Sequence, residues 1–192
     1  METTQKNLPT YEQEAFCKGD YAEVIVQRLL EEKGFVVYRP VTHDKPHGFD
    51  MFAYKDKSYK FAVEIKTKSL CDKYPETGFE EYLHDRYVQL SEKLNLPVWI
   101  LFCDEKRKEI YGNLLSKLDE EKTIEDMGEK GHYPKVIGHA DGDNVTRYYH
   151  ISSMKTFHTL TDEESQKLAN FSTKKAPRQL TLCNGLYAET TS

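Results

Sequence analysis

Cysteine is sparse in this 192-residue chain, and the four present, Cys17, Cys71, Cys103 and Cys183, form no C-x-x-C pair and have no closely spaced histidine partner. That spacing argues against a disulfide framework or a structural zinc site and reads as free thiols of a reducing cytoplasm. Long apolar runs are also missing, which excludes a membrane-spanning helix. The opening METTQKNLPTYEQE lacks the basic and apolar regions of a secretion signal, so a cytoplasmic location is expected. Internal repeats and low-complexity tracts are absent. Net positive charge is missing too: the formal total is -5, against a protein that coats nucleic acid indiscriminately.

What is present is a soluble composition, 38% hydrophobic and 31% charged, with length for one domain burying its own core. Charge is unevenly placed. From Lys33 to Lys68 basic residues outnumber acidic ones, whereas Asp119 to Glu129 is acidic. A basic face of this kind suits local phosphate binding.

The most informative stretch is GFDMFAYKDKSYKFAVEIKTKS, Gly48 to Ser69, which reads as two short strands joined by a charged turn. Alternation puts Ala62, Glu64 and Lys66 on one face and Val63 and Ile65 on the other. With a three-residue loop at Asp56 to Ser58, Asp50 falls across from Glu64 on that face; one residue more or fewer separates them. Opposed carboxylates at cross-strand distance repel unless positive charge lies between them. Lys66 supplies one charge, and a hard divalent cation such as Mg²⁺ or Mn²⁺, which takes oxygen ligands, would supply the rest. The alternative is a surface hairpin with an ordinary Glu and Lys pair.

Asp50 followed by Glu64-Ile65-Lys66 resembles the signature of the PD-(D/E)xK nuclease superfamily, with Phe49 where that family usually has proline. The resemblance implies that Asp50 and Glu64 hold the metal, with the Ile65 carbonyl as a further ligand, and that Lys66 positions or deprotonates the attacking water. The run GDYAEVIVQRLLEEKGFVVYRP ahead of it is similar to archaeal Holliday junction resolvases and related nucleases, over about residues 18 to 70. There a glutamate of the first helix joins the metal site, and Glu23 occupies that place. Glu23 is equally explained as a helix-start glutamate completing a capping box with Asp20. Lys68, Arg39 and Lys45 are the candidate phosphate contacts, each alternatively a solvated cation.

Along the chain, residues 11–33 read as a helix that Gly19-Asp20 divides and Gly34 ends. A strand from Phe35 to Arg39 follows, then a loop with His43, Asp44 and His47, then the hairpin. Leu70 to Thr77 reads as a loop and Phe79 to Leu94 as a helix with a Tyr82, Leu83, Tyr87, Leu90, Leu94 stripe. Tyr87 and Gln89 stand where some superfamily members touch substrate; Tyr87 fits the core and Gln89 the helix surface. Leu96 to Phe102 reads as a strand buried on both faces, and Glu109 to Gly112 as an added antiparallel strand. Leu114 to Met127 is expected to be a short helix, with a hairpin of Tyr133–His139 and Val145–Ile151 and a capped helix from Thr161 to Phe171. His132, His139, His150 and His158 are too widely spaced for a metal set.

The expected fold is α/β: a restriction-endonuclease-like core in the order α-β-β-β-α-β, a mixed sheet flanked by helices, occupying about 11–112. A C-terminal β-hairpin and helix addition at 113–171 and a basic tail at 172–192 complete a single domain. The expected activity is that of a divalent-metal-dependent endonuclease, a hydrolase of DNA phosphodiester bonds. A resolvase, repair, restriction or phage and mobile-element role all share such a core, and duplex or branched DNA is the expected partner. Symmetric cutting of a junction further implies a homodimer. The alternative is a catalytically inactive binding or interaction module on the same fold, which Phe49 and the acidic total charge favour.

Overall fold

A computed structural model of the chain describes residues 18–40, 48–56, 59–126, 129–138 and 145–171. The first helix, α1 (Lys18–Glu32), buries Tyr21, Ala22, Val24, Ile25, Val26, Leu29 and Leu30. Gly34 ends it with φ of 81°, donating to the Glu31 carbonyl while Phe35 donates to that of Leu30. This is the left-handed stop that glycine supplies without a Cβ penalty. The helix runs unbroken through Gly19 and Asp20, so Asp20 lies inside its first turn rather than capping a second segment.

After α1 come β1 (Val36–Tyr38), β2 (Met51–Lys55), β3 (Tyr59–Lys66), β4 (Glu76–Glu80), α2 (Glu81–Leu94), β5 (Val98–Asp104) and β6 (Glu109–Leu114). A one-turn α3 (Leu115–Leu118) leads to β7 (Lys122–Asp126), β8 (Glu129–Tyr133), β9 (Lys135–Gly138), β10 (Val145–His150), β11 (Lys155–Thr159) and α4 (Asp162–Asn170). The main sheet has the order β1-β2-β3-β5-β6-β11. Its β3 and β5 run parallel and the other neighbours antiparallel. The α-β-β-β-α-β order is therefore present, with β4 inserted before α2, and helices flank a central mixed sheet.

Strand alternation divides the apolar residues between two cores. Phe61, Val63 and Ile65 join α1, while Ala62 faces Phe49, Tyr87, Phe79 and Phe102 on the α2 side. Central β5 is buried along almost its whole length, as expected of a strand covered on both faces.

Three expectations are corrected. The loop and helix boundary moves: Glu76–Glu80 is a strand paired with β10, and α2 begins at Glu81. Its partner lies some seventy residues ahead, beyond any local pattern. Along α2, Tyr82 is 68% and Leu94 43% exposed, because the face toward the sheet is held by Tyr87 with Leu83 and Leu90. Leu114 to Met127 is not one helix: it turns helical only at Leu115–Leu118, after which β-branched Thr123 and Ile124 pair with β8.

The expected C-terminal hairpin is present with shorter strands: β9 and β10 pair antiparallel, while Tyr133 belongs to β8 and Ile151 to a 3-10 turn. As expected, α4 opens with Thr161 and Glu164 in a reciprocal capping box. Residues 11–17, the hairpin tip at 139–144 and the tail at 172–192 lie outside the described residues.

Candidate active site

Pairing of β2 with β3 runs from Met51↔Val63 to Lys55↔Tyr59, leaving the three residues 56–58 as the connection. Continued by one residue, this register sets Asp50 against Glu64. Where the β2 ladder ends, Asp50 Oδ2 accepts the Ile65 amide at 2.7 Å. The side chain thereby replaces the next ladder bond and is fixed at the mouth of the hairpin.

Glu64 and Lys66 project from the same face of β3, with the Lys66 ammonium 2.6 Å from Glu64 Oε1. Tyr87 of α2 completes a triangle: its hydroxyl accepts from Lys66 Nζ at 3.0 Å and donates to Glu64 Oε1. The ammonium also lies 5.4 Å from the Tyr87 ring centre and 5.8 Å from that of Phe79, an aromatic cradle for a cation. Tyr87 is thus both a core residue and a member of the polar cluster. Phe49 is buried and packs 5.7 Å from the Tyr87 ring and 5.9 Å from Phe52, so it helps to seat Tyr87.

Glu23 reaches the same neighbourhood from α1, where Arg39 Nη2 donates to its Oε2 at 2.5 Å. Burial, then the negative charges of Glu64 and Glu23, holds the Asp50 carboxyl well above the ordinary carboxylate range, against the Ile65 amide and Lys66. Burial also raises Glu23, although Arg39 opposes it, with Asp20 and Glu64 adding to the rise. Tyr87 is raised by its own burial and by Glu64, which keeps the phenol protonated and donating. When ionised, the three acids exceed by one charge the two cations that pair with them, Lys66 and Arg39, and they repel one another.

That excess, and the all-oxygen character of Asp50, Glu64, Glu23 and the Ile65 carbonyl, fits a hard divalent cation. The oxygens of Asp50, Glu64 and Glu23 do not all lie within 4.8 Å of one another. Among the described residues, the group of three whose donor atoms all lie within 4.8 Å of one another is instead Glu81, His84 and Asp85. Those three are already engaged: both Glu81 oxygens accept from Arg147, and His84 bridges Asp85 and Asp119 at 3.0 to 3.1 Å. Burial alone would lower the His84 pKa, but Asp119 and Asp85 outweigh it and the net shift is upward. This is an ion-pair network tying α2 to β10 rather than a ligand set.

Of the phosphate candidates, Arg39 faces Glu23, and Lys68 lies 3.3 Å from Glu80 with 41% of its side chain exposed. Lys45, like His43, Asp44 and His47, lies outside the described residues. The other histidines stay apart. His132 contacts Thr123, His150 bonds Ser152, and His158 meets Glu164, while His139 is not among the described residues.

Sequence reasoning passed over one buried acid near the site. Asp104 is fully buried at the end of β5 and accepts from the amides of Leu70, Lys106 and Arg107 and from the Tyr111 hydroxyl. It ties down the segment that leaves β3. Its signal, an acid followed by a charged turn, is shared by many solvated strand ends.

No protein-family model matches the sequence, and no curated protein sequence is similar to it. Among solved structures, the fold is similar to Archaeoglobus fulgidus Hjc, a Holliday junction resolvase from an archaeal hyperthermophile. The match has a TM-score of 0.45 and 13% identity, covering 71% of this chain and 86% of that one.

Proposed function

We propose that this chain is a divalent-metal-dependent nuclease that hydrolyses DNA phosphodiester bonds at the mouth of the β2–β3 hairpin. The observation that carries the reading is the meeting of Asp50, Glu64 and Lys66 at one sheet end, with Glu23 approaching from α1. The half-buried carboxylates and the Lys66 ammonium among them are costly to a fold that has no use for them.

Asp50, Glu64 and Glu23, with the Ile65 carbonyl, would hold Mg²⁺ or Mn²⁺. Bound there, such an ion supplies Lewis acidity to the scissile phosphate and acidifies water. The chain's own groups do the rest. Lys66 stabilises charge that develops on the phosphoryl oxygens, its ammonium aimed by Glu64 and the Tyr87 hydroxyl. The Ile65 amide keeps one Asp50 oxygen in place, leaving the other directed by the same anchor. Tyr87, protonated throughout the physiological range, orients and does not transfer a proton. Lys68, more exposed and two residues further on, meets a neighbouring phosphate.

The test is cleavage of duplex and branched DNA across Mg²⁺ and Mn²⁺. Wild-type protein is expected to cut, and Asp50→Ala and Lys66→Ala to lose at least about 100-fold in rate. Binding without cutting under every metal condition would instead identify an inactive module.

A further inference from the structure

Beside the acidic cluster, β4 and β10 form a small sheet whose two faces differ. Tyr149 and Phe79 turn inward, 5.8 Å apart between ring centres, into the core under α2. Alternation therefore turns Gly78 and Tyr148 outward, where they pair directly across the two strands. A Cβ on Gly78 would stand 2.0 Å from the Arg147 carbonyl oxygen, so the close approach of β10 requires glycine there. The Tyr148 side chain is half-buried at this point. Above it opens a groove of about 380 Å³ lined by Lys68, Ser69, Thr77, Gly78, Thr146 and Tyr148. That volume falls within the roughly 300 to 1,000 Å³ typical of small-ligand sites.

The groove is chemically mixed: the Tyr148 ring, the hydroxyl residues Ser69, Thr77 and Thr146, the Cys71 thiol and one ammonium. Of the carboxylates on that face, Glu76 is held by the Tyr133 hydroxyl and by Lys135 at 2.8 Å, and Glu80 pairs with Lys68 at 3.3 Å, an exposed ion pair that a bound phosphate would displace. Lys68 belongs to both regions, since it continues the strand that carries Lys66. Phe79, next in the chain to Gly78, lies against the Lys66 ammonium. A polynucleotide strand with a phosphate at Lys66 and the next at Lys68 would bring its adjoining base over the groove.

We propose that this groove seats one unpaired nucleotide of the DNA strand engaged at Lys66, its base stacked on Tyr148 and its phosphate on Lys68. The proposal rests on the nuclease reading for its anchor and adds a substrate class: DNA with an unpaired nucleotide beside the scissile bond, as at a flap, a splayed end or an opened branch. A base held in a continuous duplex is stacked on both faces and cannot enter. Base stacking on an aromatic side chain is tolerant of sequence, so the groove reads strand state rather than base identity.

The experiment is equilibrium binding in EDTA, so that no cutting intervenes. It compares a short single-stranded oligodeoxynucleotide carrying 2-aminopurine with a blunt duplex of the same sequence. Wild-type protein is expected to quench the 2-aminopurine of the single strand. Tyr148→Leu is expected to bind that strand about ten-fold more weakly, with the duplex affinity unchanged. Tyr148→Phe, which keeps the ring, is expected to behave as wild type. Because a β10 variant can lose its fold, Ser69→Trp provides a second route: it fills the groove from outside the strands and should remove quenching with an unchanged unfolding midpoint. The proposal is overturned if the wild type gives no quenching, if Tyr148→Leu binds single strand as tightly as wild type, or if duplex binding weakens in parallel. Intact quenching in a protein that cuts nothing with Mg²⁺ or Mn²⁺ would sustain the groove and sink only the nuclease reading; normal cutting without quenching would do the reverse.

Discussion

Tyr87 carries two duties that a single substitution separates. Its ring packs against Phe49 and Phe79, and its hydroxyl joins Glu64 to Lys66. Tyr87→Phe keeps the packing and removes the bridge. Steady-state cleavage assays are expected to show roughly a 10- to 100-fold fall in kcat, as when outer partners of a metal site are removed. Denaturant unfolding should register a loss of only about 1 kcal/mol. Asp50 gives the opposite pattern. Its folded pKa is raised above the ordinary 3.8, so the folded state binds the proton more tightly than the unfolded chain does. Metal-free stability is therefore greatest below the unfolded value and is lost as pH rises through the raised folded value. Asp50→Asn removes that loss while its amide oxygen can still accept from Ile65. In EDTA at pH 7 to 8 the variant is expected to melt a few degrees higher than wild type, with a flatter pH profile, although it cuts nothing. Thermal melts across pH measure this directly.

At the scale of elements, local chemistry and long-range pairing separate what was legible in the sequence from what was not. The stop at Gly34, the capping box at Thr161 and the β2–β3 register are short-range features, decided within a few residues, and all were readable. So was the buried run of β5. By contrast, β4 is defined by β10, and its E-T-G-F-E sequence resembles a loop running into a helix until that partner arrives. β11 escaped for another reason: its register shifts between Thr156 and His158, which breaks the period-two alternation. At the site, Asp50, Glu64 and Lys66 were visible because hairpin geometry is local. The Tyr87 hydroxyl and the Asp104 hub depend on α2 and β5 folding back. The tight β4–β10 contact yields its own prediction. Gly78→Ala must move the Arg147 carbonyl, at a cost of about 1 to 3 kcal/mol, which urea unfolding would show as a lower midpoint with unchanged slope.

Over the whole molecule the net charge is -5. On the proposed function few phosphates would be neutralised, so affinity for DNA should fall only gently with salt. Lys68→Gln is expected to weaken binding evenly across sequences and to reduce the slope of log K against log salt by about one, measured by titration at several ionic strengths. An unchanged slope would remove Lys68 from the phosphate path. Among the described residues no helix is long and apolar enough to cross a membrane. The acidic segment that follows α3 lies away from the β2–β3 hairpin in sequence, with Asp119 drawn into the His84 and Arg147 network.

All of these expectations depend on a cation being drawn to the hairpin mouth. A crystal grown with Mn²⁺ and measured at the manganese absorption edge reads that out in one map. The account predicts an anomalous peak in contact with Asp50 and Glu64, on the side that Glu23 approaches. A peak at Glu81, His84 and Asp85, or none at the hairpin under saturating Mn²⁺, would contradict it.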